Sequence, residues 1–441
     1  MHLIKLCVIK RMAPARIFDG SPARRGRSRC TAGFQTCRVA DFQIGRGSSS
    51  RRVCGLGNPR YSRLGSLRYV TCRAAALALL AMVILLARPA EVCADEVVRT
   101  VVDAKPAGRL VDQNILEQVY DEVKTPFKYG VVLKGGGTNE MVDCPSVFRY
   151  GSHWYMMYVA ISNSVGYQTF LATSDDLLHW SKLGKILAFS ENGWDAWQAD
   201  GGIALADCRW DGTHKLQKFD GKYWLSYIGG AKQGYEKDPL SLGLAWTGNP
   251  SAPQAWHRLE KNPVLTPKQP DARAFETKTL YKSQIIHDAD ASLGWPFVMY
   301  YNAKYKNGFE QIGMAVSRDM ANWSRYGTNS VVVNGEVKKN GISGDPQIVK
   351  IGNVWVMFYF GAGWGPRAFD TFAASYDLAH WTKWTGPQLI QPSERYDHTY
   401  AHKPWVLKYH GVVYHFYCAV GDEGRVIALA TSADLKSSGP K

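Results

Sequence analysis

The sequence offers little that would hold a cofactor, a nucleic acid or a bilayer. Its 441 residues contain no Gly-rich phosphate loop, no metal-spaced Cys/His cluster and no Gly-x-Ser-x-Gly elbow. Nucleotide-binding, zinc-site and serine-hydrolase readings therefore have no motif to rest on. Cysteine is scarce: six of the nine lie before Asp95, leaving Cys144, Cys208 and Cys418. Their wide spacing makes neither a zinc site nor a disulfide framework. Small buried hydrophobes are the expectation, with one disulfide left open outside the cytoplasm. Surplus charge is also missing from most of the chain. Of the formal net charge of +15, residues 1 to 73 hold 16 Lys+Arg against Asp19 and Asp41. The remainder carries 37 basic and 36 acidic residues, so no nucleic-acid partner is expected.

Long apolar runs are absent but for residues 74 to 87, AAALALLAMVILLA. This run is too short to span a bilayer comfortably. Arg68 and Arg73 precede it and Val92-Cys93-Ala94 follows. The pattern reads as a secretory signal peptide over residues 68–94, cleaved after Ala94. Residues 1–67, rich in Arg, Ser and Gly without apolar periodicity, read as a non-native or disordered extension. The mature chain is expected to be secreted or periplasmic, free of the membrane after cleavage, and monomeric.

What the sequence does contain is repetition. ATSDDLLHW (172–180) returns as AVSRDMANW (315–323) and AASYDLAHW (373–381), and a truncated ATSADL begins at Ala430. Upstream of these stand aromatic, β-branched runs introduced by a turn, such as GSHWYMMYVA (151–160) and GNVWVMFYFGAG (352–363). Each reads as the second strand of a hairpin. Another short strand precedes each run, and a fourth follows most of the Trp landmarks. The unit is four short antiparallel strands, occurring five times. Its second copy replaces the Ser-x-Asp element with AWTGNPSAPQAW (245–256). Such units read as propeller blades. The Ser and Asp of the motif are expected to accept backbone N–H groups in a turn, and its Trp to pack between blades.

The expected fold is an all-β, five-bladed β-propeller over residues 128–434. Because ATSADL lacks a fourth strand, KYGVVLKG (128–135) is expected to pair with the last blade and close the ring, removing an open edge. Residues 95–127 form an N-terminal segment in which QNILEQVYDEV (113–123) reads as a short amphipathic helix.

The first strand of each propeller blade lines the central channel. The starts of these strands carry Asp143, Asp200, Glu276, Asp345 and His402. Carboxylates gathered in one channel raise each other's proton affinity, and divergent affinities suit acid–base chemistry. A DCPS strand opening, a Gly-aromatic hairpin and ATSDDLLHW together resemble the five-bladed propeller glycosidases: families 43 and 32 and the related families 117 and 130. The resemblance covers roughly residues 128–434. It implies a glycoside hydrolase with Asp143, Asp200, Glu276 and Asp345 as catalytic candidates. In the family 43 pattern Asp143 fits the base, while Glu276 and Asp345 stand exchanged relative to that family's order. In the family 117 pattern Asp200, Asp345 and His402 carry the roles instead.

His402 reads as a ligand for a sugar hydroxyl or for a structural metal ion in the channel; no other cofactor or metal is expected. Trp194, Trp197 and Trp364 offer flat faces for sugar C–H groups. Lys278 and Arg367, with Arg273 and Lys403 nearby, are candidates for binding hydroxyls or a carboxylate. The function expected is inverting hydrolysis of an oligo- or polysaccharide. The alternatives are a non-catalytic carbohydrate-binding propeller and a glycoside phosphorylase.

Overall fold

Alternating apolar residues broken by Gly-centred turns give strands and almost no helix. The structure is a computed structural model and describes residues 101–437, apart from residues 138, 254–255, 334–340 and 366. These belong to one unit, Cys93–Lys441. The expected extension and signal peptide lie outside the described residues. Among the described residues no helix is long and apolar enough to cross a membrane.

The elements begin with helix α1 (Gln113–Val123) and strand β1 (Phe127–Leu133). Strands β2 (Glu140–Tyr150), β3 (His153–Ser162), β4 (Tyr167–Ser174) and β5 (Ser181–Leu187) form an antiparallel sheet in that order. A second meander holds β6 (Gln198–Ala204), β7 (Tyr223–Gly230), β8 (Ser241–Thr247) and β9 (His257–Arg258). The third holds β10 (Thr279–His287), β11 (Phe297–Lys304), β12 (Glu310–Ser317) and β13 (Trp323–Arg325). The fourth holds β14 (Ile342–Ile351), β15 (Val354–Ala362), β16 (Phe369–Ser375) and β17 (Thr382–Lys383). These three meanders join into one twelve-stranded sheet through single parallel pairs, Ala204 with Ile285 and Glu310 with Ile342. The last sheet comprises β18 (Tyr400–Tyr409), β19 (Val412–Gly421), β20 (Gly424–Thr431) and β1.

β1 supplies the outer strand of that last sheet. Lys128 faces Ala430, Val131 faces Ala428 and Leu133 faces Ile427, antiparallel. The N-terminal segment is anchored along its length. The Val102 N–H donates to the Arg325 carbonyl at 2.7 Å, and the Val111 N–H donates to Thr382 Oγ1 at 2.9 Å. α1 buries Leu116, Val119 and Val123, at the spacing that gives a helix one apolar face. They pack with Val356, Phe358 and Trp384 of the fourth meander and Val406 of the last. On the polar face, Glu122 accepts from Trp210 Nε1 and Lys408 Nζ, each at 2.7 Å.

The repeated motif is a turn with a fixed hydrogen-bond scheme. Ser174 Oγ accepts from the N–H groups of Asp176 and Leu177, and Asp176 Oδ1 accepts from those of Leu178 and His179. Ser317 with Asp319 repeats it, and Ser375 with Asp377 repeats its bonds from the N–H groups of Asp377, Ala379 and His380. Satisfying these N–H groups lets Leu177, Met320 and Leu378 adopt positive φ (68°, 64° and 68°) while fully buried. The Trp then packs onto the neighbouring meander: Trp180 meets Phe416 edge-on at 5.9 Å, and Trp381 meets Tyr300 at 5.6 Å. The three cysteines after Asp95 are free.

Candidate active site

Three of the inner strands carry the same kink, and it builds the site. The pairing of β2 with β3 shifts between Asp143 and Ser146, that of β14 with β15 between Gly344 and Gln347, and that of β18 with β19 between His402 and Trp405. At each shift a non-Gly residue before proline takes the left-handed conformation: Cys144 (φ 49°), Asp345 (51°) and Lys403 (63°). β10 shifts in the same place, between Leu280 and Ser283. Such conformations cost about 1–3 kcal/mol each and gather at functional sites. A bulge re-aims the side chain it carries. Cys144, Asp345 and Lys403 accordingly line one cavity of about 490 Å³.

Asp200 of β6, Lys282 of β10 and His402 of β18 share this wall, joined by Glu236, Glu310, Arg425 and Arg367. Asp200 Oδ1 accepts from Lys282 Nζ at 2.8 Å. The Cys144 sulfur stands 3.7 Å from both Asp200 Oδ2 and Asp345 Oδ2, so twice that distance is the most that can separate those two oxygens. Burial, reinforced by Asp200 and Asp143 and opposed by Lys403 and Lys282, pushes the Asp345 carboxyl up to about 6. Burial also pushes Glu310 up to about 7; Lys304 opposes this and Glu236 reinforces it. Glu310 Oε2 accepts from Asn302 Nδ2 at 2.9 Å. Glu236 follows β7 and accepts from the Tyr167 hydroxyl at 2.7 Å.

His402 is held neutral. Burial and the neighbouring Arg425 and Lys403 bring it down to about 3. Its Nδ1–H donates to the Cys418 carbonyl at 3.2 Å, which leaves Nε2 as the acceptor.

Two expected catalytic residues stand off the cavity wall. Asp143 is fully buried behind it, and its Oδ2 accepts from Lys403 Nζ and Arg425 Nη1 at 2.8 Å each. Burial favours its protonated form, but the two cations outweigh burial and hold the carboxyl well below the usual carboxylate range. Glu276 precedes β10, in a short turn over Ala274–Glu276. It is fully buried and bonded to the Arg273 guanidinium (3.1 Å), to Arg325 and to the Tyr301 hydroxyl (2.8 Å). Burial opposes its ionisation, yet Arg273 and Arg325 hold the carboxyl below its ordinary value. The alignment of strand starts missed this because Glu276 lies ahead of its strand.

Five of the expected residues are brought together: Asp200, Asp345, His402, Lys403 and Arg367. The aromatics are elsewhere. Trp194 lies 5.3 Å from Tyr227 and against Gly229 and Gly243, where a Cβ would collide with its ring. Trp197 tilts against Phe189 at 5.7 Å, and Trp364 Nε1 donates to the Ile342 carbonyl at 2.6 Å. Lys278 pairs with Asp238 at 3.2 Å. Among the described residues no group of three or more His, Cys, Asp or Glu side chains is arranged to hold a metal ion.

Two solved structures, one of a glycoside hydrolase and one of BT0996 in an RGII complex, each match at 43% identity with a TM-score of 0.71. Each match covers 75% of this chain and 98% of the other. The chain belongs to the glycoside hydrolases. No family model matches it. A 1,2-beta-oligomannan phosphorylase of Thermoanaerobacter sp. (strain X514) is 30% identical over 145 residues, which are 31% of this chain and 46% of that protein. The chain thus spans less than half the length of that curated relative.

This glycoside hydrolase places carboxyl groups in its cavity that sequence reasoning passed over. Glu310 opens β12, the third strand of its meander, and Glu236 lies in a loop. Neither belongs to the inner strands whose starts pointed to the channel. The X-Pro pair at each kink, Cys144-Pro145, Asp345-Pro346 and Lys403-Pro404, marks three other residues of the wall and neither of these glutamates.

Proposed function

We propose that this chain is a five-bladed β-propeller, closed by β1 on β20, that hydrolyses a glycosidic bond of an oligosaccharide outside the cytoplasm. The five four-stranded meanders and the register of β1 support the architecture. The observation that carries the chemistry is Glu310, a carboxyl on the cavity wall whose proton affinity is raised to about 7. A carboxyl with that affinity can be protonated at neutral pH and can give its proton to a leaving oxygen.

Glu310 protonates the glycosidic oxygen as its bond to the anomeric carbon breaks. Water attacks the opposite side of that carbon, and Glu236 takes the water's proton. The first-formed sugar then has inverted configuration, an outcome that requires room for a water between the two carboxyl groups. Asp200, Asp345, Asn302 and His402 bind hydroxyls along the same wall. Asn302 Oδ1 is buried without a partner and is suited to accept from one of them.

A phosphorylase is the second reading, favoured by the curated relative. It requires cations free to bind phosphate, and here Lys282 is engaged by Asp200 while Lys403 and Arg425 share Asp143, which leaves Arg367 as the one cation of the wall without a carboxylate partner among the described residues. Hydrolysis therefore comes first. The test is reducing-sugar release from a glycan panel with and without phosphate, followed by NMR of the first-formed anomer. Glu310→Gln and Glu236→Gln should each lower turnover ~10²–10⁴-fold. Near wild-type turnover in the Glu310 variant would remove the acid from the scheme. Strict dependence on phosphate would replace hydrolysis with phosphorolysis.

A further inference from the structure

Arg367 lies on the wall of two cavities. One is the cavity just described. The other, of about 170 Å³, is lined by Arg367, Phe369, Gln388, Gln391 and Pro392. Lys282, Lys403 and Arg425 each have a carboxylate within 2.8 Å. Arg367 is exposed and has no carboxylate partner among the described residues.

The small cavity is held rigidly. The N–H groups of Leu389 and Ile390 donate to the Asp370 carbonyl, and the Ile390 carbonyl accepts from the Asp370 N–H at 2.9 Å. This pins the segment against the start of β16. The Gln391 carbonyl accepts from Lys128 Nζ at 2.7 Å. Phe369 is buried and braced edge-on by Trp364, 4.9 Å away. In this setting the Gln388 side-chain oxygen is buried without a hydrogen-bond partner.

An unpaired guanidinium presents N–H donors in a planar fork that matches a carboxylate. A buried amide oxygen without a donor is costly, and a hydroxyl relieves that cost. A sugar acid carries both complementary groups.

We propose that the small cavity is a subsite for a uronic acid residue of the substrate, with its carboxylate on Arg367 and a hydroxyl donating to Gln388 Oε1. The proposal rests on the glycosidase reading of the larger cavity. It places an acidic sugar next to the bond that is cut, over the edge of the fourth meander.

The test is saturation-transfer NMR of the full protein with millimolar glucuronate and galacturonate, their methyl esters, and glucose and galactose. The uronates should bind at least tenfold more tightly than the esters and neutral sugars. Arg367→Gln should abolish that preference with an unchanged thermal melt, because the residue is exposed. Gln388→Leu should weaken uronate binding while keeping the preference over the ester. Equal binding of uronate and ester, or an undiminished preference in Arg367→Gln, would overturn the subsite. Displacement of uronate by inorganic phosphate in wild type but not in Arg367→Gln, together with phosphate-dependent cleavage, would assign the guanidinium to a phosphate co-substrate and also overturn it. The two readings fail separately. Glycan cleavage without a uronate preference removes the subsite alone, whereas an Arg367-dependent preference without cleavage of any glycan supports the subsite and removes the reaction.

Discussion

Two kinds of buried carboxyl group face each other in this molecule. Asp143 and Glu276 are each gripped by two cations, and their proton affinity is depressed. Asp345, half-buried on the cavity wall, and the buried Glu310 are only partly compensated, and theirs is raised to about 6 and about 7. Burial acts on all four in the same direction. Two direct ion pairs outweigh burial at Asp143 and at Glu276, whereas neighbouring carboxylates offset the cations at the other two, Asp200 and Asp143 beside Asp345 and Glu236 beside Glu310. The first pair resists protonation and holds Arg and Lys side chains in place. The second pair can hold or release a proton near neutrality. Acidic residues are not interchangeable markers of chemistry, and the balance of cations and carboxylates around them separates the anchors from the reagents proposed above.

The largest expected effect lies with the anchors. Glu276→Gln leaves the Arg273 guanidinium buried without its anion and Arg325 with Asp271 alone. Breaking a buried ion pair from one side typically costs about 3–5 kcal/mol, so the melting temperature should fall sharply. Asp143→Asn should behave likewise, through Lys403 and Arg425. A normal melt with lost turnover at Asp143 would move it from anchor to reagent.

The reagents should show the reverse. Glu310→Gln takes one of its partners from Lys304, which keeps the Tyr281 hydroxyl; it should cost less stability than either anchor and lose ~10²–10⁴-fold in turnover, and a melt collapsed as far as that of Glu276→Gln would erase the distinction. A subtler effect appears in pH dependence. The folded state holds the Glu310 proton up to about 7, above the ordinary 4.5. Stability from this group is therefore complete below about 4.5 and is lost as pH rises through about 7. Turnover that needs the proton should fall over the same upper limb. In Glu310→Gln the melting temperature should decline less between pH 5 and pH 8 than in wild type, and parallel curves would count against the raised affinity. The smallest effect belongs to the motif turns. Ser375→Ala removes the acceptor for the Asp377 N–H, for roughly 1–3 kcal/mol and no change in turnover per folded molecule.

Much of the chain's organisation was legible because repetition exposes it. The Ser-x-Asp-x-x-Trp turns, the hairpin Gly residues and the unpaired end at ATSADL pointed to the meanders and to the partner strand 128–135. The wall of the cavity was read one step out of register. Each kink before Pro145, Pro346 and Pro404 inserts a residue, so Asp143 stands level with Gly344 and His402 rather than with Asp345. Period-two reasoning cannot see a bulge. Glu236 and Glu310 were out of reach for another reason: they are brought to the cavity by a loop and a third strand, and no local pattern marks them. Trp194 and Trp197 looked like sugar platforms, but Gly229 and Gly243 make room for the Trp194 ring against the sheet.

The pairing of Asp143 with Arg425 joins residues 282 positions apart, and Thr431 Oγ1 donates to the Phe127 carbonyl across 304. Contacts so distant along the chain are slow to form, because the loop between them must be closed before they contribute. The first inner strand must wait, its carboxylate without one of its two cations, until the last strand has been made. Catalysis in this protein therefore has a threshold in synthesis as well as in folding: a chain stopped a few residues short of Arg425 has no complete pocket, however well its earlier meanders have formed.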